Sequence, residues 1–145
     1  MRIAPDKLPI SSPPRAIPDW TTAAGYLARG GLRARTLTEE AARIARPLLA
    51  GSSTGAIPGE NALLALDEES ALRAADATDA RVAEGRPLRP LDGLPIMIKD
   101  NFMTAGLRST CGSALLADFV PPYGATAVVR LRDAGAAILG KSNLD

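Results

Sequence analysis

The chemistry open to this chain is limited first by a residue type that it lacks. No histidine occurs among its 145 residues, so the chain alone can form neither a Ser-His-Asp nor a Cys-His arrangement. Lys99 is the candidate base that remains. It follows the apolar run Ile96-Met97-Ile98, just before a turn. Because burial disfavours a charged ammonium, a lysine at such a strand end can lose its proton or anchor an anion.

Three polar residues that follow Lys99 in the sequence are candidates to support it as a base. Asp100 could pair with Lys99, although an aspartate here more often caps the following loop by accepting backbone N–H groups. Ser109 and Thr110 fall in a loop that should return toward the strand end, and their hydroxyls could form hydrogen bonds near Lys99. A pair of ordinary turn hydroxyls explains them equally well. Lys141 follows a second apolar run, and we expect it to be solvated and not catalytic.

The composition excludes several classes of partner and compartment. A net charge of +1 and an aromatic content of 3% do not indicate binding to nucleic acid or to an anionic membrane. One cysteine excludes an internal disulfide and suits a reducing compartment. No apolar run is long enough to span a bilayer, and the first residues lack the apolar core of a signal peptide. We therefore expect the cytoplasm.

An α/β pattern of elements would hold Lys99 in place. Residues 1–18 contain five of the twelve prolines, which predicts an extended arm, and the small residues of 51–59 predict a flexible loop. Consecutive apolar residues before Lys99 predict a strand buried on both faces, as in a parallel sheet. The remaining predicted elements are a helix capped by Asp19 and running to about Arg29, a helix opened by a Thr36–Glu39 capping box, a strand over 62–66, a helix from the Asp67 cap to about Glu84, a short helix over 113–119, a helix over 125–134 with Val128, Val129 and Leu131 facing inward, and a strand over 136–139.

Four separate blocks of sequence resemble the N-terminal portion of the amidase signature family. The resemblance is strong over residues 61–145 and thin before them, and the order and spacing of the blocks make it more specific than a single motif. Besides Gly106, the matching blocks are Leu91-Asp92-Gly93-Leu94-Pro95-Ile96-Met97-Ile98-Lys99-Asp100-Asn101, Ser109-Thr110-Cys111-Gly112-Ser113, Arg130-Leu131-Arg132-Asp133-Ala134-Gly135-Ala136 and Gly140-Lys141-Ser142-Asn143-Leu144.

This resemblance implies both a fold and a reaction. The fold is a single α/β/α domain with a mixed sheet flanked by helices, of which residues 19–145 would be the N-terminal portion. The reaction is hydrolysis or transfer at an amide C–N bond by a serine nucleophile, a second serine before a cis peptide bond, and a lysine. Lys99 matches that lysine. The family carries both serines downstream of the block that begins at Gly140, so we expect this chain to be a fragment truncated before them.

Three functions are compatible with this resemblance. The first is an amidase that acts on a small-molecule amide, present here as a fragment that carries only the lysine and is inactive alone. The second is the A subunit of a tRNA-dependent glutamine amidotransferase, which Asp145 after Asn143-Leu144 weakly favours. The third is a non-catalytic remnant that folds only with a partner chain. No metal or organic cofactor is implied, and the absent C-terminal portion, as a separate chain, is a candidate partner.

Overall fold

The computed structural model describes residues 19–49 and 61–144, so the predicted arm over 1–18 and the predicted loop over 51–59 lie outside the described residues. The described ranges contain helices α1 (Trp20–Ala28), α2 (Ala34–Ala45), α3 (Glu68–Ala83) and α4 (Thr126–Asp133), strands β1 (Leu63–Leu66), β2 (Pro95–Lys99) and β3 (Ala137–Ser142), and 3₁₀ turns at Arg46–Leu48 and Ala114–Leu116. The mixed α/β class that the sequence predicts is confirmed.

The three strands form one mixed sheet in the order β1-β3-β2. The central strand β3 runs parallel to β2 and antiparallel to β1. On one face, α2 and α3 pack against Ala137 and Leu139 of β3. On the other face, Val128 of α4 packs with Ile98 and Ile138. Because successive strand residues point to opposite faces, this apolar run on both sides buries residues 137–141 of β3 between two helical layers.

A register shift between β2 and β3 determines the face of the sheet to which each residue at the end of β3 points. Ile96 pairs with Ile138, but Met97 pairs with Gly140, so Leu139 is an extra residue in β3. After this bulge, Lys141 pairs with Ile98. Residues paired across a sheet share a face, so Lys141 lies on the face that α4 covers.

Aspartate side chains cap the N-termini of three helices, α1, α2 and α3. The caps of α1 and α3 were predicted, and the cap of α2 was not. Asp19 accepts a hydrogen bond from Thr22 N, and Asp67 accepts one from Ser70 N, so both predicted caps are confirmed. The capping box predicted at Thr36 and Glu39 is wrong, because α2 begins earlier, at Ala34.

The cap of α2 comes from a different helix. Asp79 of α3 accepts hydrogen bonds from the backbone N–H groups of Ala34 (2.7 Å) and Arg35 (3.2 Å). Arg33 occupies the N-cap position, and its side chain makes no capping bond. A side chain 45 residues away thus satisfies the free donors at the helix start, which no local motif could indicate.

Two further predictions about the C-terminal elements are corrected. Over 113–119 the chain forms only the single 3₁₀ turn Ala114–Leu116 instead of a helix. Val129 is 44% exposed, whereas Val128 is buried. Because α4 has only eight residues, its contact with the sheet is a narrow stripe, and adjacent positions on a helix cannot both face it.

The segment that leads into β2 is fixed to the turn before β3 by Asp92. Its fully buried carboxylate accepts hydrogen bonds from Arg89 N and Arg89 Nε, and it lies 3.4 Å from Arg81 Nε. A Cβ atom on Gly135 would stand 2.1 Å from Asp92 Oδ1. This close approach and the hydrogen bond from Gly93 N to Gly135 O at 3.1 Å hold the start of β2 beside the start of β3.

Candidate active site

Lys99 lies at the carboxyl end of the parallel pair, as the sequence predicts. It is the last residue of β2, is half-buried, and pairs in register with Ser142. The next backbone N–H, that of Asp100, donates to Ser142 O at 3.0 Å, and Phe102 N donates to Lys99 O at 3.0 Å. Hydrogen bonds therefore hold the backbone on the C-terminal side of Lys99. The carboxyl ends of strands are where open α/β sheets place their sites.

Lys141 makes the densest set of polar contacts near Lys99. Its side chain has no solvent exposure. The ammonium donates to Ser109 Oγ at 2.7 Å and to the carbonyl oxygen of Phe102 at 2.8 Å, and it lies 3.2 Å from Asp100 Oδ1. We call these residues, together with Thr110, the Lys141 cluster. Its members lie on β3 and at both ends of the 100–110 loop.

Asp100 is the counter-ion of this cluster. Oδ2 accepts hydrogen bonds from Thr110 N at 2.9 Å and from Thr110 Oγ1 at 2.5 Å. Oδ1 forms the ion pair with Lys141 without an aligned hydrogen bond. Burial raises the pKa of the Asp100 carboxyl, but the Thr110 bonds and the Lys141 charge outweigh it and hold the pKa below its usual value. Asp100 is therefore an anion held by two hydrogen bonds from Thr110 and by the ion pair with Lys141.

Ser109 is not placed to act as a nucleophile in the described structure. It is fully buried, accepts hydrogen bonds from Lys141 and from Thr104 N, and donates to Leu107 O. A hydroxyl has one proton and two acceptor positions, so all three are occupied. Although a serine and a lysine stand 2.7 Å apart here, this Ser109 has neither access to solvent nor a free lone pair for nucleophilic attack.

The structure brings the supporting residues together, but around a different lysine from the one expected. Asp100 and Ser109 contact Lys141, Thr110 binds Asp100, and the expectation that Lys141 is solvated is wrong. Asp100 binds the backbone N–H of Thr110, ten residues on, and not that of a residue two positions further. The third predicted strand ends at 139, which placed Lys141 in a turn. A regular strand extended through Gly140 would have paired Lys141 with Lys99, so its register beside Ile98 follows only from the bulge at Leu139 in the structure.

The described residues 19–49 and 61–144 contain no group of three or more cysteine, aspartate or glutamate side chains placed to hold a metal ion. Across these same ranges, no helix is both long enough and apolar enough to cross a bilayer. The chemistry visible in this part of the chain is that of a lysine at a strand end, with an internally neutralised polar cluster beside it.

Comparisons with known proteins agree on one family. A family model described as Amidase matches residues 53–145. The A subunit of the glutamyl-tRNA(Gln) amidotransferase of Acidothermus cellulolyticus is 51% identical over 88 residues, 61% of this chain and 17% of that protein. Its mitochondrial counterpart from Xenopus laevis is 52% identical over 85 residues, 59% of this chain and 16% of that protein.

A solved structure gives the same result over more of the chain. The native peptide amidase of Stenotrophomonas maltophilia superposes with a TM-score of 0.76 at 34% sequence identity, over 90% of this chain and 26% of that one. The chain thus spans about a sixth of the length of the curated relatives it matches and about a quarter of the length of this structure.

Proposed function

Because the chain belongs to the amidase family, we propose that the protein cleaves or transfers at an amide C–N bond and that Lys99 moves the proton in this reaction. The observation that carries the proposal is the place of Lys99. It ends the apolar strand β2 at the carboxyl edge of the sheet, with its following backbone held by hydrogen bonds. The amide-processing relatives add support from outside the chain.

The proposed role of Lys99 is that of a general base. By resemblance, its amine takes the proton of a bridging serine, which in turn takes the proton of the nucleophilic serine. The nucleophile then attacks the amide carbonyl, and the proton returns to the leaving nitrogen as the C–N bond breaks. Both serines belong to segments that the family carries beyond residue 145. Asp100 stays out of this relay, since Thr110 and Lys141 already bind its carboxylate.

Substrate and compartment are parts of the same proposal. A small carboxamide or an amide-bearing metabolite is the proposed substrate class, with no metal or organic cofactor required. The single cysteine favours a reducing compartment such as the cytoplasm.

A second candidate function rests on the curated relatives. About half of the aligned residues are identical to those of glutamyl-tRNA(Gln) amidotransferase A subunits. We therefore propose, as the alternative, ammonia release from glutamine within an assembly of several chains. Release from glutamine that depends on a co-purifying chain would favour this alternative, and release from simple amides without one would favour a free amidase. A remnant that folds only with its partner would release ammonia from neither.

The test of the proposed function is ammonia release by the complete natural protein from a panel that includes glutamine and simple amides. Lys99→Ala should lower turnover at least about a hundredfold, the lower range for a positioned proton-transfer group. Lys99→Arg should fail almost as badly, because a guanidinium cannot give up its proton at working pH. Arg73→Ala is the matched control, since it removes an exposed cation of α3. Near-normal turnover in Lys99→Arg would overturn the general-base role.

A further inference from the structure

We propose that Lys141 is a positioning residue for Lys99, acting through the 100–110 loop; this inference rests on the function proposed above. Lys141 does not take part in the proton relay. Instead, its ammonium holds in place the backbone that follows Lys99 in the sequence. The geometry of the Lys141 cluster carries the argument.

The contacts of Lys141 span both ends of one loop. Asp100 and Phe102 stand directly after Lys99, whereas Ser109 stands at the far end of the loop, and all three contact the same ammonium. The Asp100 carboxylate then joins the two ends a second time, through Thr110. Removing the ammonium would therefore take away the side-chain anchor on β3 that both ends share, and the Thr110 bonds to Asp100 would remain as the link between the ends.

The register places this cluster one residue away from Lys99. Lys141 pairs with Ile98, and Lys99 pairs with Ser142, in the same parallel ladder. Adjacent register positions project to opposite faces, so Lys141 supports the strand end from the face opposite Lys99. Lys141 consequently acts on the backbone at Lys99 and does not reach the space into which the Lys99 amine projects.

Stability alone does not explain a charged lysine at this position. A buried ion pair can often be replaced by apolar side chains at no cost in stability, whereas removal of one partner is strongly destabilising. What an apolar pair cannot reproduce is the direction of the hydrogen bonds to Phe102 O and Ser109 Oγ. Small displacements of a reacting group lower turnover steeply, so these directional bonds matter for rate.

The experiment compares three variants of the complete natural protein, assayed for ammonia release and for urea unfolding. Lys141→Met keeps the length of the side chain but leaves Asp100 unpaired. Lys141→Met/Asp100→Asn removes both charges. Arg73→Met is the control, because it changes an exposed cation. We expect kcat to fall at least about tenfold in both Lys141 variants, with KM within about twofold of wild type.

The double variant separates positioning from structural support. It should regain much of the stability that Lys141→Met loses, because no buried charge is left unpaired, whereas its kcat should stay low. Recovery of kcat together with stability would overturn the inference, and so would a higher KM at unchanged kcat. Where Lys141→Met alone fails to fold, the double variant still gives the answer.

A second measurement is independent of turnover. Hydrogen–deuterium exchange over residues 100–110 should be faster in both Lys141 variants than in wild type, with exchange in α3 unchanged. Unchanged exchange in this loop would refute the positioning role even if Lys99→Ala is inactive. No ammonia release by wild type, or full release by Lys99→Ala, would overturn the proposed function and this inference with it. The two failures are therefore distinguishable.

Discussion

Substitution of Asp79 tests the structure at a point that no local sequence motif indicates. Asp79 lies on α3, and its side chain is 15% exposed. Its two carboxylate oxygens accept the backbone N–H groups of Ala34 and Arg35, at the start of α2. Asp79→Ala removes both acceptors at once and leaves the Ala34 N–H in a fully buried residue.

The loss in free energy of unfolding caused by Asp79→Ala follows from these contacts. Loss of a side-chain cap costs about 0.5–2 kcal/mol, and a buried donor without an acceptor costs about 1–3 kcal/mol. Since Asp79 is partly exposed, water can reach part of the vacated space, and we expect a loss of about 1.5–2 kcal/mol. Asp76→Ala on the same helix is the matched control, because Asp76 makes only an exposed ion pair with Arg35. That pair contributes at most about 1 kcal/mol.

Urea unfolding of the complete natural protein, followed by circular dichroism, measures the difference. Both substitutions gain the same helix propensity, which cancels in the comparison. Asp79→Ala should unfold at a lower urea concentration than Asp76→Ala, because its free energy of unfolding should be smaller by about 0.5–2 kcal/mol. Asp79→Asn keeps one acceptor oxygen and should lose less than Asp79→Ala. Equal midpoints for the two alanine variants would refute the cap across helices.

Three further predictions concern the sheet, the Asp100 carboxyl and the isolated chain. Gly140→Ala should destabilise the protein by about 1–3 kcal/mol in thermal melting, because its Cβ would stand 2.2 Å from Ala65 O; an unchanged melting temperature would contradict the β1–β3 register. The pKa of Asp100 is held below its ordinary value of 3.8, so its ionised form stabilises the fold above that pH, and this stability is lost as the pH falls through 3.8 toward the folded pKa. Wild type should therefore lose its stability advantage over Asp100→Asn in acid urea titrations, and a constant advantage from neutral pH down to strong acid would disprove the assignment. The 145-residue chain by itself should release no ammonia from any simple amide, since the proposed relay needs two further serines besides Lys99; turnover that disappears in Lys99→Ala would show otherwise.

The sequence was sufficient for the elements whose signals are local. Asp19 and Asp67 cap their helices through residues three positions away, and an apolar run marks β2 and ends at Lys99. Such signals need no knowledge of the tertiary structure, and the place of Lys99 at a strand end followed from them. Residue type and spacing also pointed to Asp100, Ser109 and Thr110, but as neighbours of Lys99, whereas Asp100 and Ser109 contact Lys141.

The errors came where a distant partner decides the structure. The capping box at Thr36 was a valid local signal, but Asp79 stabilises an earlier start at Ala34. Gly140 and Lys141 look like a turn, yet β1 and β2 pair with them from both sides and extend the strand. The charge of Lys141 is tolerated in the core only because Asp100, 41 positions earlier, lies opposite it.

The position of β3 at the centre of the sheet also governs how the chain can fold during translation. In the sheet, β1 and β2 both pair with β3, which is the last of the three strands to leave the ribosome. The end of β1 is made about seventy residues before β3 begins, a delay of roughly 4–14 s at ordinary rates of synthesis. Until β3 is made, β1 and later also β2 lack their pairing partner. A chaperone that binds unpaired strands would therefore act on the nascent chain during this delay.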